Sequence, residues 1–196
     1  MSTLGEAEVS RLYEARGALL RGHFRLTSGL HSAVYLQSAR VLQYPEDARQ
    51  LGAALAARFP GVGASAVVAP ALGGILVAHE VARAWDVRGV FTERENGRMT
   101  LRRGFALDPK ERCLVVEDVI TTGGSTREVI ACVAAAGAEV LGVGALVDRS
   151  GGAARFDQRF EALLHLSVPN YPPDDCPMCR EGQPIVKPGS RPTPAP

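Results

Sequence analysis

The sequence predicts an α/β fold, a mostly parallel central sheet flanked by helices. Three observations carry this. Short continuous apolar runs at 66–69, 87–92, 113–116 and 140–147 alternate with helical patterns over 74–84 and 125–136. Runs of four to eight apolar residues suit parallel strands covered on both faces, because neither face meets water. Glycine-rich turns stand where the 66–69 and 113–116 strands hand over to their helices, as ligand-binding α/β turns require.

Residues 4–21 place Leu4, Val9, Leu12, Ala15, Leu19 and Leu20 near helical spacing, and Gly22 is expected to end that helix. The stretch GHFRLTSGLHSAVYLQSARV surrounds a Ser28-Gly29 turn with β-branched and aromatic residues, the pattern of a hairpin. Tyr44-Pro45-Glu46-Asp47 opens a helix, since proline fits the first helical position and acids suit the positive end of the dipole. Pro60-Gly61 stops it. From Pro169 the chain is proline-rich, polar and expected to be extended, with residues 188–196 disordered.

Composition narrows the function classes. The chain has 196 residues, 46% of them hydrophobic and 22% charged, which is globular rather than disordered. Length favours one domain over 1–196. A net charge of +1 argues against bulk electrostatic binding of nucleic acid. No apolar run approaches the ~20 residues that span a bilayer, and MSTLGEAEVSRLYEAR lacks a signal-peptide core, so a cytoplasmic protein without membrane contact is expected. Twenty of the 22 basic residues are Arg; only Lys110 and Lys187 are Lys, a bias that codon usage explains first.

The chemistry concentrates in CLVVEDVITTGGSTREVI, residues 113–130. A buried strand delivers Glu117 and Asp118 to its C-terminal end, Val119 and Ile120 follow, and Thr121-Thr122-Gly123-Gly124-Ser125 leads into a helix. Successive backbone N–H groups, hydroxyls and a helix N-terminus make an anion pocket suited to phosphate. Neither a GxxxxGK[ST] nor a strand-linked GxGxxG loop is present. Carboxylates repel phosphate, so the acid pair must face another part of the ligand: ribose hydroxyls, a bound Mg²⁺ or a developing positive charge. A sugar 5-phosphate satisfies both halves.

This segment closely resembles the phosphoribosyl-diphosphate (PRPP) motif of type I phosphoribosyltransferases. The resemblance implies that family's fold with a small hood, here residues 1–40 plus the C-terminal segment. It implies that Glu117 and Asp118 hold the ribose and that the TTGGS loop holds the 5-phosphate. Other segments are similar to the orotate branch of the family. LTSGLHSAVY resembles its hood segment, and APALGGILVA resembles the pyrophosphate loop, here Pro70, Ala71, Leu72, Gly73 and Gly74. LVDRSGG resembles the segment whose Arg, here Arg149, binds the orotate carboxylate with help from Thr121. FTERENGRMTLRRGF resembles the mobile catalytic loop, offering Arg98, Arg102 and Arg103, with Gly97 and Gly104 as hinges, and implies that Arg94 binds PRPP and joins Glu117 and Asp118 in catalysis; the alternative is an ordinary exposed hairpin. CPMCREGQPIVKPGSR resembles the tail of a bacterial branch.

The resemblance implies transfer of ribose 5-phosphate from PRPP to orotate in UMP synthesis. It also implies Mg²⁺ carried by PRPP and water rather than by protein ligands, and a homodimer whose loop serves the neighbouring site. Three positions where the family often has Lys hold Thr27, Gly73 and Arg94. Codon bias accounts for the Arg but not for the Thr or Gly, so pyrophosphate is expected to meet arginines, backbone amides and Mg²⁺. The alternatives are a purine phosphoribosyltransferase, or a non-catalytic PRPP-sensing regulator that would shift nucleic acid in a gel. Cys176 and Cys179 form a CxxC, half of a tetrahedral zinc site, whose missing ligands are not evident among the scattered His23, His31, His79 and His165. Cys113, Cys132 and Trp85 read as packing.

Overall fold

The computed structural model describes residues 4–26 and 29–188. In chain order the elements are α1 (Glu6–Ala15), β1 (Leu19–Arg25), β2 (His31–Leu36), α2 (Ala39–Leu42), α3 (Pro45–Ala57), β3 (Ala66–Pro70), α4 (Gly74–Trp85), β4 (Arg88–Glu95) and β5 (Arg98–Leu101). They continue as β6 (Arg112–Ile120), α5 (Gly124–Ala135), β7 (Glu139–Asp148), β8 (Phe160–His165), β9 (Asn170–Tyr171), a 3-10 turn (Pro173–Asp175) and α6 (Pro177–Arg180).

The main sheet has the order β5-β4-β3-β6-β7-β8. Its five long strands are parallel, and β5 returns antiparallel on β4 at one edge. Alternation explains why the strands read as unbroken apolar runs. Val67, Ala69, Leu114 and Val116 join one buried cluster with α3 and α4, while Ala66, Val68, Cys113 and Val115 join another with Val129 and Val133 of α5. Each strand therefore feeds two cores. No helix among the described residues is long and apolar enough to cross a membrane.

A second sheet, β1-β2-β9, forms the hood. The hairpin expected there is present, with Phe24 opposite Ser32 and Arg25 opposite His31; its tip at Thr27 and Ser28 lies outside the described residues. The first helix is shorter than its periodicity implied. It stops at Ala15 because Gly17 takes φ +59°, and the Ala18 N–H reaches back to the Tyr13 carbonyl. Leu19 and Leu20 consequently start β1. The strand read at 113–116 runs on to Ile120, because β7 pairs with it as far as Ile120 opposite Asp148.

The C-terminal segment corrects the expectation of an extended tail from Pro169. Its β9 pairs with β2, and Cys176 and Met178 are buried. Val186 exchanges backbone hydrogen bonds with His23 and Arg25. Apolar residues set between prolines give it an inward face that proline content alone conceals. The disorder expected for 188–196 falls almost wholly on residues 189–196, outside those described. Cys113 is buried as expected, Cys132 is half-buried, and Trp85 packs against the larger core.

Candidate active site at the sheet switch point

Strand order reverses at β3: β4 is added on one side and β6 on the other. Such a reversal leaves a crevice beyond the C-terminal ends of the two central strands, where helices depart to opposite faces. The 70–74 loop and the 117–125 segment emerge there. A cleft of about 670 Å³ is lined by Leu72, Gly73, Asp118, Val119, Thr121, Thr122 and Arg149, and by hood residues including Tyr35 and Asn170. Segments separated by well over a hundred positions thus share one cavity.

The acid pair packs against the 70–74 loop. A Cβ at Gly73 would lie 2.5 Å from Asp118 Oδ1, and one at Gly74 would lie 2.8 Å from the Ala69 Cβ. Glycine at 74 leaves no Cβ to strike Ala69 of β3, and glycine at 73 leaves room for the Asp118 carboxylate beside the loop. The two acids differ in setting. Asp118 lines the cleft, whereas Glu117 is buried behind it. Burial, reinforced by the adjacent Asp118, pushes the Glu117 carboxyl up to about 9, so it is protonated at neutral pH. A neutral Glu117 leaves Asp118 as the member of the pair facing the cleft.

The cradle has the expected local form. Gly123 takes φ +74° and directs the chain into α5, which no side chain caps. The Gly124 N–H leans on Thr122 Oγ1 at 3.4 Å. The first N–H groups of α5 therefore face outward as an anion site. Arg127, which sequence reading passed over, braces this loop: its guanidinium donates to the Thr122 and Arg155 carbonyls and lies over the Phe156 ring.

Arg149 is the most constrained cation in the site. Its backbone N–H donates to the Ile120 carbonyl at 2.8 Å, which ties it to the end of β6. Its Nη2 donates to Ser32 Oγ at 2.5 Å and to Asn170 Oδ1 at 2.9 Å, while Nε is buried with no partner among the described residues. The residue is only 6% exposed, and among the described residues no carboxylate pairs with it. Burial accordingly depresses its pKa. A buried guanidinium held by neutral oxygens at the wall of a cleft is built to meet an anion from outside. Ser32 stood in the hood motif without a role, and Asn170 lay in the segment read as a tail; neither had a local signal.

The four loop arginines are not brought into this cleft. Residues 88–101 form the β4–β5 hairpin, turned at Asn96 and Gly97 with φ +51° and +82°, a tight two-residue turn. Arg94 pairs with Glu128 at 2.8 Å, Arg103 with Glu93 at 2.7 Å and Arg102 with Glu95 at 3.3 Å. Arg98 lies exposed beside the turn.

Comparison with known proteins places this arrangement. Residues 61–164 match the phosphoribosyl transferase domain. The chain is 59% identical to orotate phosphoribosyltransferase of Pelotomaculum thermopropionicum over 94% of its own length and 97% of the relative's. It is 56% identical to that of Desulforamulus reducens over 96% and 98%. The crystal structure of orotate phosphoribosyltransferase from Aeropyrum pernix superposes with a TM-score of 0.65 at 29% identity, covering 81% of this chain and 93% of that one. The chain therefore belongs to the phosphoribosyl transferase family, and within it to the orotate phosphoribosyltransferases.

Proposed function

We propose that the cleft transfers the 5-phosphoribosyl group of PRPP to N1 of orotate, giving orotidine 5′-phosphate and pyrophosphate for de novo UMP synthesis. The observation that carries the choice of acceptor is Arg149, a buried guanidinium with an unpaired Nε and no acid of its own. A planar carboxylate can fork onto it, which fixes the orotate ring over the anomeric carbon. Purine bases offer no carboxylate, so the same pocket would leave Arg149 buried without a counter-charge.

In the reaction the anomeric C–O bond breaks, its electron pair leaves with pyrophosphate, and N1 of orotate forms the new C–N bond. The N1 proton is acidic enough to be lost to solvent, so no strong general base is needed. Asp118 faces the ribose and supplies negative potential as positive charge develops on the ring. Glu117, protonated, donates toward Asp118 and keeps its carboxylate in place. The TTGGS loop, Thr121–Ser125, and the start of α5 hold the 5-phosphate, and the amides of the 70–74 loop face the diphosphate.

Mg²⁺ bound to the diphosphate supplies charge neutralisation for the leaving group. The donor set fits an ion that arrives with the substrate. The cleft wall holds one acid in the open and one kept protonated, too few oxygens for a protein cage. The β4–β5 hairpin serves as a lid that excludes water from the reactive sugar. Its arginines lie outside the cleft of their own chain, which supports a homodimer in which each hairpin covers the partner's site. Highly charged substrates that do not cross membranes are consistent with a cytoplasmic enzyme.

The test is an assay with PRPP and Mg²⁺, following the loss of orotate absorbance and offering adenine and hypoxanthine in parallel. Turnover with orotate alone is expected. Turnover with a purine but not with orotate would overturn the assignment.

A further inference from the structure

We propose that His23, His31, Cys176 and Cys179 form a tetrahedral zinc site that fastens the C-terminal segment to the hood sheet. The four side chains come from β1, β2 and the start of α6, and their ligand atoms all lie within 4.8 Å of one another. His23 Nε2 is 3.0 Å from His31 Nδ1, 3.6 Å from Cys176 Sγ and 3.7 Å from Cys179 Sγ. Cys179 Sγ is 3.3 Å from His31 Nδ1. A tetrahedron with ordinary Zn–N and Zn–S bonds has edges of about 3.3–3.8 Å, so small adjustments seat the ion.

The surroundings suit a metal rather than a chance cluster. His23, His31 and Cys176 are all buried, and only Cys179 is exposed. His23 Nδ1 lies 2.9 Å from the Gln183 carbonyl, to which it donates. That hydrogen bond sets the tautomer and leaves Nε2 with its lone pair facing the cluster, the outer support that ligating histidines receive. Two thiolates and two imidazoles select zinc over the oxygen-seeking cations. Four protein ligands leave no open position, so the site is structural.

The segment needs such a fastening. The β2–β9 pairing consists of His31 opposite Tyr171 and Ser32 opposite Asn170, and Phe24 with Val186 is an isolated bridge. Strand contacts this short are marginal by themselves, whereas zinc binding contributes directly to folding. Ser32 and Asn170, the two side chains that hold Arg149, sit on the strands that the ion would lock together. On the reading of Arg149 given above, removing the metal weakens orotate binding more than PRPP binding. Metal content, however, is measured without reference to that reading.

The experiment uses the full chain without an affinity tag. Elemental analysis is expected to find one zinc per chain. Cobalt-substituted protein is expected to show thiolate-to-cobalt charge transfer and the d–d bands of a tetrahedral ion, both lost in Cys176→Ser. Cys179→Ser, at the exposed ligand, provides the same readout should the buried variant fail to fold. Chelation is expected to speed trypsin cleavage after Arg180 by roughly tenfold or more, as the segment detaches. A reduced wild-type chain that takes up neither zinc nor cobalt overturns the proposal. So does metal content unchanged in both variants, or a Cys176–Cys179 disulfide in the native protein.

Discussion

The phosphate cradle and the β4–β5 hairpin both extend from strands of one sheet, yet they spend their polar groups in opposite ways. At the cradle the start of α5 carries no side-chain cap, and beside it the buried Arg149 lines the cleft with no charged partner among the described residues. In the hairpin Arg94, Arg102 and Arg103 are each paired with a carboxylate near the surface. Unsatisfied donors persist only where rigid packing holds them, and here β6, α5 and the hood provide that packing. Paired surface charges need no such support and separate at little cost, as a moving lid requires. On the proposed reading, the contrast is between a site organised before substrate arrives and a cover that substrate recruits.

The contrast can be broken first at Asp118. Asp118→Asn removes the potential facing the ribose and is expected to lower kcat by about 10²–10³-fold with little change in Tm. A loss below about threefold in steady-state assays would mean the acid is not part of the organised site. Arg149→Ala comes next. Losing a buried charged partner costs about 2–5 kcal/mol, so the orotate KM should rise by roughly 10²-fold or more while the PRPP KM stays within about twofold. Equal changes in both would contradict its placement.

Glu117 tests the same region through pH. Its carboxyl is held up at about 9 by burial and by Asp118, against an ordinary 4.5. Between those values the folded protein keeps a proton that the unfolded chain has lost, so this group makes stability fall as pH rises from about 4.5 toward 9. Glu117→Gln cannot ionise. It should flatten that slope and leave the variant the more stable protein at pH 8 in denaturant titrations. An unchanged slope would mean the acid is ionised in the fold. The smallest effect belongs to the hairpin: Arg103→Ala should alter stability by no more than about 0.5 kcal/mol while lowering kcat. A large fall in Tm would make the hairpin a structural edge and not a lid.

Much of this was legible before any fold was known. The parallel sheet showed in the apolar runs, and the cradle in the order of acids, hydroxyls and glycines over 117–125, because strand, turn and helix start are set by neighbours in sequence. The helix drawn to residue 21 failed because 3.6-residue spacing persists across Gly17 into Leu19 and Leu20, which pack equally well as a strand. The C-terminal segment was misread because proline content masks the inward face of Cys176 and Met178. Arg127 escaped because bracing a carbonyl leaves no compositional trace.

What the sequence determined by itself is therefore the set of local devices: buried strands, the anion cradle, the glycines that permit close approach, and the Asn96-Gly97 turn. Tertiary structure decided which of them meet. It gave Arg149 its partners Ser32 and Asn170, separated Asp118 from the buried Glu117, and gathered His23 and His31 beside Cys176 and Cys179. The physical reason is range. Backbone preferences and hydrogen-bonded turns act over a few residues, whereas a contact between positions 23 and 176 exists only once both sheets have packed and burial has chosen which side chains share a space.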